Sequence, residues 1–167
     1  QQQFLASLDR LKVSNQAQFQ AFVPHLQGMP MLMAMHATGC QLEDLPEETG
    51  YLCELAELNL AQNRMAALPE VMRELIGLHV MDLSDNLMQT LPNWLDELQE
   101  LHTLFFQGNK LQQIPACLLE LPAIKILRLD SNKLTALPMP SATKNLGLRS
   151  LHLARNPLLH FPPAILQ

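Results

Sequence analysis

Asparagine returns at a fixed interval in this chain. Asn63, Asn86, Asn109 and Asn132 are 23 residues apart, and Asn156 follows after 24. Cys40 stands 23 residues ahead of the first of them. Proline keeps the same interval independently: Pro46, Pro69, Pro92, Pro115 and Pro138 are spaced by 23, and Pro162 follows after 24. Two unrelated residue types with one period imply one supersecondary unit copied six times. A period of roughly 20 to 30 residues points to a solenoid rather than a globular core. A solenoid works through its surface, so this single feature already narrows the function.

Aligned on the interval, the units share the frame LxxLxxLxLxxNxLxxLPxxLxx, as in LIGLHVMDLSDNLMQTLPNWLDE and LQELHTLFFQGNKLQQIPACLLE. The LxL core alternates apolar and other residues, which reads as a strand with one buried face. Leu58/Leu60, Met81/Leu83, Leu104/Phe106, Leu127/Leu129 and Leu151/Leu153 are the expected inward pairs. One short strand cannot hide its apolar face alone, whereas stacked copies form a continuous parallel sheet. The Asn follows where the chain must turn and backbone groups lose their ladder partners. Its amide both donates and accepts, so a column of Asn can satisfy those groups. Cys40 is the weaker substitute at one end. The Leu-Pro step then breaks the return path and suits the first turn of a short helix. PEVMRELIGL, PNWLDELQEL and PACLLEL should be one- or two-turn segments on the outer side. The fifth unit carries two further breakers in MPSATKNLG, with Ser141 at an apolar position, and an irregular loop is expected there.

This frame closely resembles the leucine-rich repeat family in its 23-residue form, as found in cytosolic Ras-suppressor-like scaffold proteins and in some bacterial effectors. The resemblance covers residues 29–167. It implies an α/β fold: a right-handed, curved solenoid with a parallel sheet on the concave face and short helical segments on the convex face. It also implies a role in recognising another protein.

Residues 1–28 do not repeat. In FLASLDRLK, Leu5, Leu8 and Leu11 fall on one helical stripe. Ser14 is placed to cap a second segment, NQAQFQAFV, whose apolar side is Phe19, Phe22 and Val23. The ends of a solenoid expose core, so this stretch reads as an N-terminal helical cap on an array, 29–167, of about six units with the last incomplete. Met29, Met31, Met33 and Met35 are expected to fill the junction. The chain opens on Gln-Gln-Gln without Met and stops inside a repeat, which reads as a segment of a longer protein. A targeting signal would then lie outside it.

Composition adds exclusions. The net charge of −5 argues against nucleic acid as the main partner. The charge is polarised, with 14 acids and 4 bases in residues 1–100 but 2 acids and 7 bases in 101–167. Cys40, Cys53 and Cys117 form no CxxC pair and no metal spacing, which suits a reducing compartment. A cytoplasmic location is therefore expected, or delivery into a host cytoplasm if the chain is an effector. No apolar run is long enough to span a bilayer. A monomer is expected.

The residues beside and between each inward pair face the concave side. Six strands at about 4.8 Å give a face about 24 Å across. That is enough for the roughly 800 Å² per partner of an ordinary interface. At its centre Val80, Phe105 and Ile126 are apolar where water is expected, with Asp82, Gln107, Arg128 and Asp130 around them. An apolar centre with a polar rim is the anatomy of a binding hot spot. Cross-strand packing alone is the plainer explanation of such residues. The expected contact residues are Asn59, Val80, Asp82, Thr103, Phe105, Gln107, Ile126, Arg128, Asp130 and His152. Arg64, Lys110 and Lys133 share the position after the Asn. With Lys125, Arg128, Arg149 and Arg155 near by, they suggest a basic ridge for an acidic segment. Trp94 should be partly buried on the convex side. His79 and His102 fall on neighbouring strands about 5 Å apart, half a metal site at best. No cofactor, metal or catalytic motif is expected in this chain. The expectation is a non-enzymatic interaction module. The alternative is the substrate-recognition segment of a larger enzyme, such as an effector ubiquitin ligase or a kinase.

Overall fold

In the computed structural model, residues 2–139 and 147–160 are described. Seven three-residue strands form one parallel sheet in strict chain order: β1 (Arg10–Lys12), β2 (Ala34–His36), β3 (Glu57–Asn59), β4 (Val80–Asp82), β5 (Thr103–Phe105), β6 (Ile126–Arg128) and β7 (Ser150–His152). The registers repeat the sequence interval: Leu11 opposes Met35, Met35 opposes Leu58, and the series runs on through Met81, Leu104 and Leu127 to Leu151. The inward pairs from Met35/Ala37 to Leu127/Leu129 are completely buried. Leu151 and Leu153 are only half-buried, because no described coil covers β7 on its far side.

The Asn column is a file of clasps. Asn63 donates from Nδ2 to the carbonyls of Ala37 and Leu60, both at 2.8 Å, and accepts the Leu42 N–H at 2.9 Å. Asn86, Asn109, Asn132 and Asn156 repeat this pattern one coil at a time. Cys40 reaches the carbonyls of Val13 and Thr38 only at 3.7 and 3.6 Å, through a poorer donor. The residue ahead of each Asn is left-handed: Gln62, Asp85, Gly108, Ser131 and Arg155 all have φ between 54° and 71°. Only Gly108 is glycine, and there a Cβ would clash with the Asp85 carboxylate oxygen.

The outer segments are 3-10 turns at Glu47–Tyr51, Glu70–Glu74 and Asn93–Glu97, and one turn of α-helix at Ala116–Leu119. Pro46, Pro69, Pro92 and Pro115 sit just before these turns, in extended conformation, rather than inside them. Each offers its carbonyl to the third residue beyond, as Pro69 does to the Met72 N–H at 3.1 Å. The loop expected over MPSATKNLG falls almost wholly in 140–146, and that segment, with Pro162, lies outside the described residues.

The N-terminal segment caps the array, but not as helix alone. After the short helix α1 (Gln2–Ala6) the chain extends into β1. Leu11 therefore leaves the helical stripe expected for Leu5, Leu8 and Leu11. Leu11 and Val13 are buried in alternation instead. The gain is a full set of ladder bonds: the Asp9 carbonyl accepts from Met33 and Ala34, and Val13 donates to the His36 carbonyl at 2.8 Å. The helix α2 (Gln16–Phe22) is capped by Asn15, not Ser14, with Asn15 Oδ1 accepting the Gln18 N–H at 2.9 Å. Phe19 and Leu26 seal the first coil. Met29 and Met35 fill the junction, whereas Met31 and Met33 are 59% and 54% exposed. Met33 immediately precedes β2, a position held in later coils by the exposed His79, Lys125 and Arg149.

Candidate binding face

Because the inward residues alternate with outward ones, each strand sets two side chains on the outer face of the sheet. Strand pairing then lines them up across the stack. One file is Lys12, His36, Asn59, Asp82, Phe105, Arg128 and His152. Its neighbour is Arg10, Ala34, Glu57, Val80, Thr103, Ile126 and Ser150. With β1 included, the face is about 29 Å across at about 4.8 Å per strand.

The N-terminal half of this face satisfies itself. His36 Nε2 and Glu57 Oε1 are 2.9 Å apart. The Thr38 hydroxyl donates to Asn59 Oδ1 at 2.9 Å, and Asn59 Nδ2 to Asp82 Oδ2 at 3.4 Å. Asp82 Oδ1 accepts the Ser84 hydroxyl at 2.6 Å and the Ser84 N–H at 3.0 Å. Such a network leaves few groups that gain by meeting a partner. The centre differs. Phe105 stands in register between Asp82 and Arg128, with Val80 and Ile126 on the strands either side. Phe105 and Val80 are half-buried and Ile126 is 36% exposed.

All ten sequence-expected contact residues lie on or directly after β3–β7 on this one face. They do not contribute alike. Thr103 is buried, its hydroxyl 2.9 Å from His102 Nδ1, and offers little surface. Asp130 is buried too and is held by Arg128 Nε at 3.4 Å. The Gln107 side-chain oxygen is buried without a hydrogen-bond partner. His152 is exposed on β7, 2.8 Å from the Ser150 hydroxyl. The single basic ridge expected from the sequence breaks up, with Arg128 on β6 and Arg155 ahead of Asn156. Arg64, Lys110 and Lys133 follow the Asn turn, with Leu87 between the first two, while Lys125 and Arg149 precede their strands.

Two features of the face were not anticipated from sequence. Arg10 and Lys12 join it through β1. The signal was present: Leu11-x-Val13 precedes Met35-x-Ala37 by 24 residues, one more copy of the interval. The left-handed file ahead of the Asn residues has no such signal, since five side-chain types occupy it.

On the convex side Trp94 is half-buried against the core, and its Nε1 donates to Glu70 at 3.1 Å. Arg73 pairs with Glu97 at 2.6 Å and with Glu70 at 3.4 Å. All three cysteines are free: Cys40 is buried, Cys53 exposed and Cys117 half-buried, its Sγ 3.4 Å from the Asn93 carbonyl. Burial raises the pKa of the Cys40 and Cys117 thiols, so neither is an activated thiolate. Among the described residues no group of three or more His, Cys, Asp or Glu is placed to hold a metal ion. No described helix is long and apolar enough to cross a membrane.

Residues 53–111 match a family described as "Leucine rich repeat". Those residues carry leucine-rich repeats, and the fold is that of a leucine-rich repeat solenoid. Solved leucine-rich repeat structures share its architecture. InlP of Listeria monocytogenes is 27% identical with a TM-score of 0.70, over 84% of this chain and 39% of that one. A leucine-rich repeat protein of Leptospira interrogans is 23% identical with a TM-score of 0.58, over 97% of this chain and 53% of that one. A chain of the Drosophila Toll–Spatzle complex is 24% identical with a TM-score of 0.67, over 77% of this chain and 17% of that one. This chain thus spans about half or less of the length of these proteins. No curated protein sequence matches it.

Proposed function

We propose that this chain is a non-catalytic module that recognises a partner protein on the concave face of its repeat array. The observation that carries this reading is the contrast across the face. The polar groups of β2–β4 are spent on one another, while Phe105, Val80 and Ile126 form an apolar centre left partly exposed among the described residues. A desolvated aromatic anchor with a polar surround is where interface energy concentrates. The likeness to a chain of the Toll–Spatzle complex supports it at the level of architecture. The same face would serve equally if the chain were the recognition segment of a larger enzyme.

The test uses random peptides displayed against the purified 167-residue chain. Selected binders should lose about 2 kcal/mol or more of affinity on Phe105→Ala, the cost of an aromatic hot spot. The urea midpoint should change by less than about 1 kcal/mol equivalent, since Phe105 lies on the surface of the sheet. A large loss of stability with affinity intact would make Phe105 a packing residue. Binders that survive Phe105→Ala but fail on Trp94→Ala would move the site to the convex side.

A further inference from the structure

One end of the strands carries a row of basic side chains that the apolar centre does not explain. The residue ahead of each strand is His79 for β4, His102 for β5, Lys125 for β6 and Arg149 for β7. Backbone bonds hold these four in file. The His102 N–H donates to the His79 carbonyl at 3.0 Å, that of Lys125 to His102 at 2.9 Å, and that of Arg149 to Lys125 at 2.8 Å. The two imidazoles stack with centroids 5.6 Å apart and planes 13° from parallel. None of the four is in an ion pair among the described residues. The carboxylates on this face are engaged elsewhere: Glu57 with His36, Asp82 with Ser84, Asp130 with Arg128. Burial, the neighbouring His79 and Lys125 together hold the His102 pKa below its ordinary value. Among the described residues no carboxylate pairs with the charged ends of Lys125 and Arg149.

We propose that this row docks an extended acidic segment of the partner, running across the strands from β4 to β7. Carboxylates meet Lys125, Arg149 and the imidazole N–H groups, and intervening apolar side chains rest on Val80 and Ile126 in the adjoining file. This deepens the concave-face reading and rests on it. The dimensions agree. Three strand steps span about 14 Å, the reach of four or five extended residues. A nucleic-acid strand fits less well, because Val80 and Ile126 give phosphates nothing and the chain carries a net charge of −5.

The test is fluorescence anisotropy with a labelled peptide alternating Glu and Leu, its Gln/Leu counterpart, and a single-stranded RNA of matched length. The Glu peptide should bind about tenfold more tightly than the Gln peptide, with an affinity that falls as salt rises. Lys125→Glu with Arg149→Glu should weaken it about tenfold and flatten the salt dependence. Lys133→Glu, beyond the Asn turn, should leave it unchanged. The gentler Lys125→Gln, checked by circular dichroism, keeps the result independent of folding. Equal affinity for both peptides overturns the proposal, as does no binding of the Glu peptide. So does binding indifferent to the charge reversals but lost on Phe105→Ala, although the concave-face function would then stand. Tighter binding of RNA through Lys125 and Arg149 would reassign the row to nucleic acid. Display-selected peptides indifferent to Phe105 and to the row alike would remove the concave-face reading itself.

Discussion

Each repeat asparagine serves backbone groups on two coils at once, and that sets its worth. Asn109 Nδ2 donates to the Leu83 and Phe106 carbonyls, and its Oδ1 takes the Met88 N–H. Asn109→Ala strands the Met88 N–H in the interior and leaves the Leu83 and Phe106 carbonyls only the side chains of Asn86 and Asn132, so it should lower the unfolding free energy by roughly 1–3 kcal/mol. Asn156→Ala should cost less, because Asn156 is only half-buried and water can reach the groups it abandons. Urea denaturation of both variants checks this. Negligible losses at both sites would mean the column is solvated throughout. The column was legible in the sequence because an amide is the small side chain that can donate to two carbonyls while accepting from a third group. The left-handed residue beside it was not. Gln62, Ser131 and Arg155 have no intrinsic preference for positive φ and Asp85 only a slight one, so their conformation is imposed by the clasp that follows them.

At the scale of elements, six strands and their outer turns were readable, and the seventh strand was not. Leu5, Leu8 and Leu11 fit a helical stripe as well as Leu11 and Val13 fit a strand, and local periodicity alone cannot choose. The choice is made by β2, whose free edge offers ladder bonds that a helix cannot supply. Leu11→Ala should therefore cost about 2–4 kcal/mol, as for a buried leucine facing a close-packed interior. Leu5→Ala, at a half-buried site on α1, should cost less than about 1 kcal/mol. Similar losses at both sites, read from thermal or urea unfolding, would restore the continuous helix. The contact face shows the same division. Which residues point outward followed from alternation, so all ten candidates fell on one surface. Which of them are already committed to one another did not, since Asn59 and Asp82 meet only across neighbouring coils.

On the scale of the whole molecule the array is a one-dimensional stack, and its ends are unequal. The N-terminal end is closed by Phe19 and Leu26, whereas β7 carries the half-buried Leu151 and Leu153. Stability in such a stack is a sum of coil and neighbour contributions, so local opening follows the weaker end. Hydrogen exchange should be slowest at the Leu83 and Phe106 amides, which bond from one central coil to the next. It should be faster at Leu129 and Ser131, whose acceptors are His152 and Ala154 in the last described coil. Uniform protection along the stack would show a single cooperative block instead. The clasps themselves have a direction: every cross-coil bond from the side chains of Asn63, Asn86, Asn109, Asn132 and Asn156 reaches toward the N-terminus, from Asn63 to Ala37 and Leu42 through to Asn156 on Leu129 and Leu134. On a ribosome, then, a freshly made loop waits open until the next one emerges and fastens it, and assembly trails translation by a single turn of the spiral.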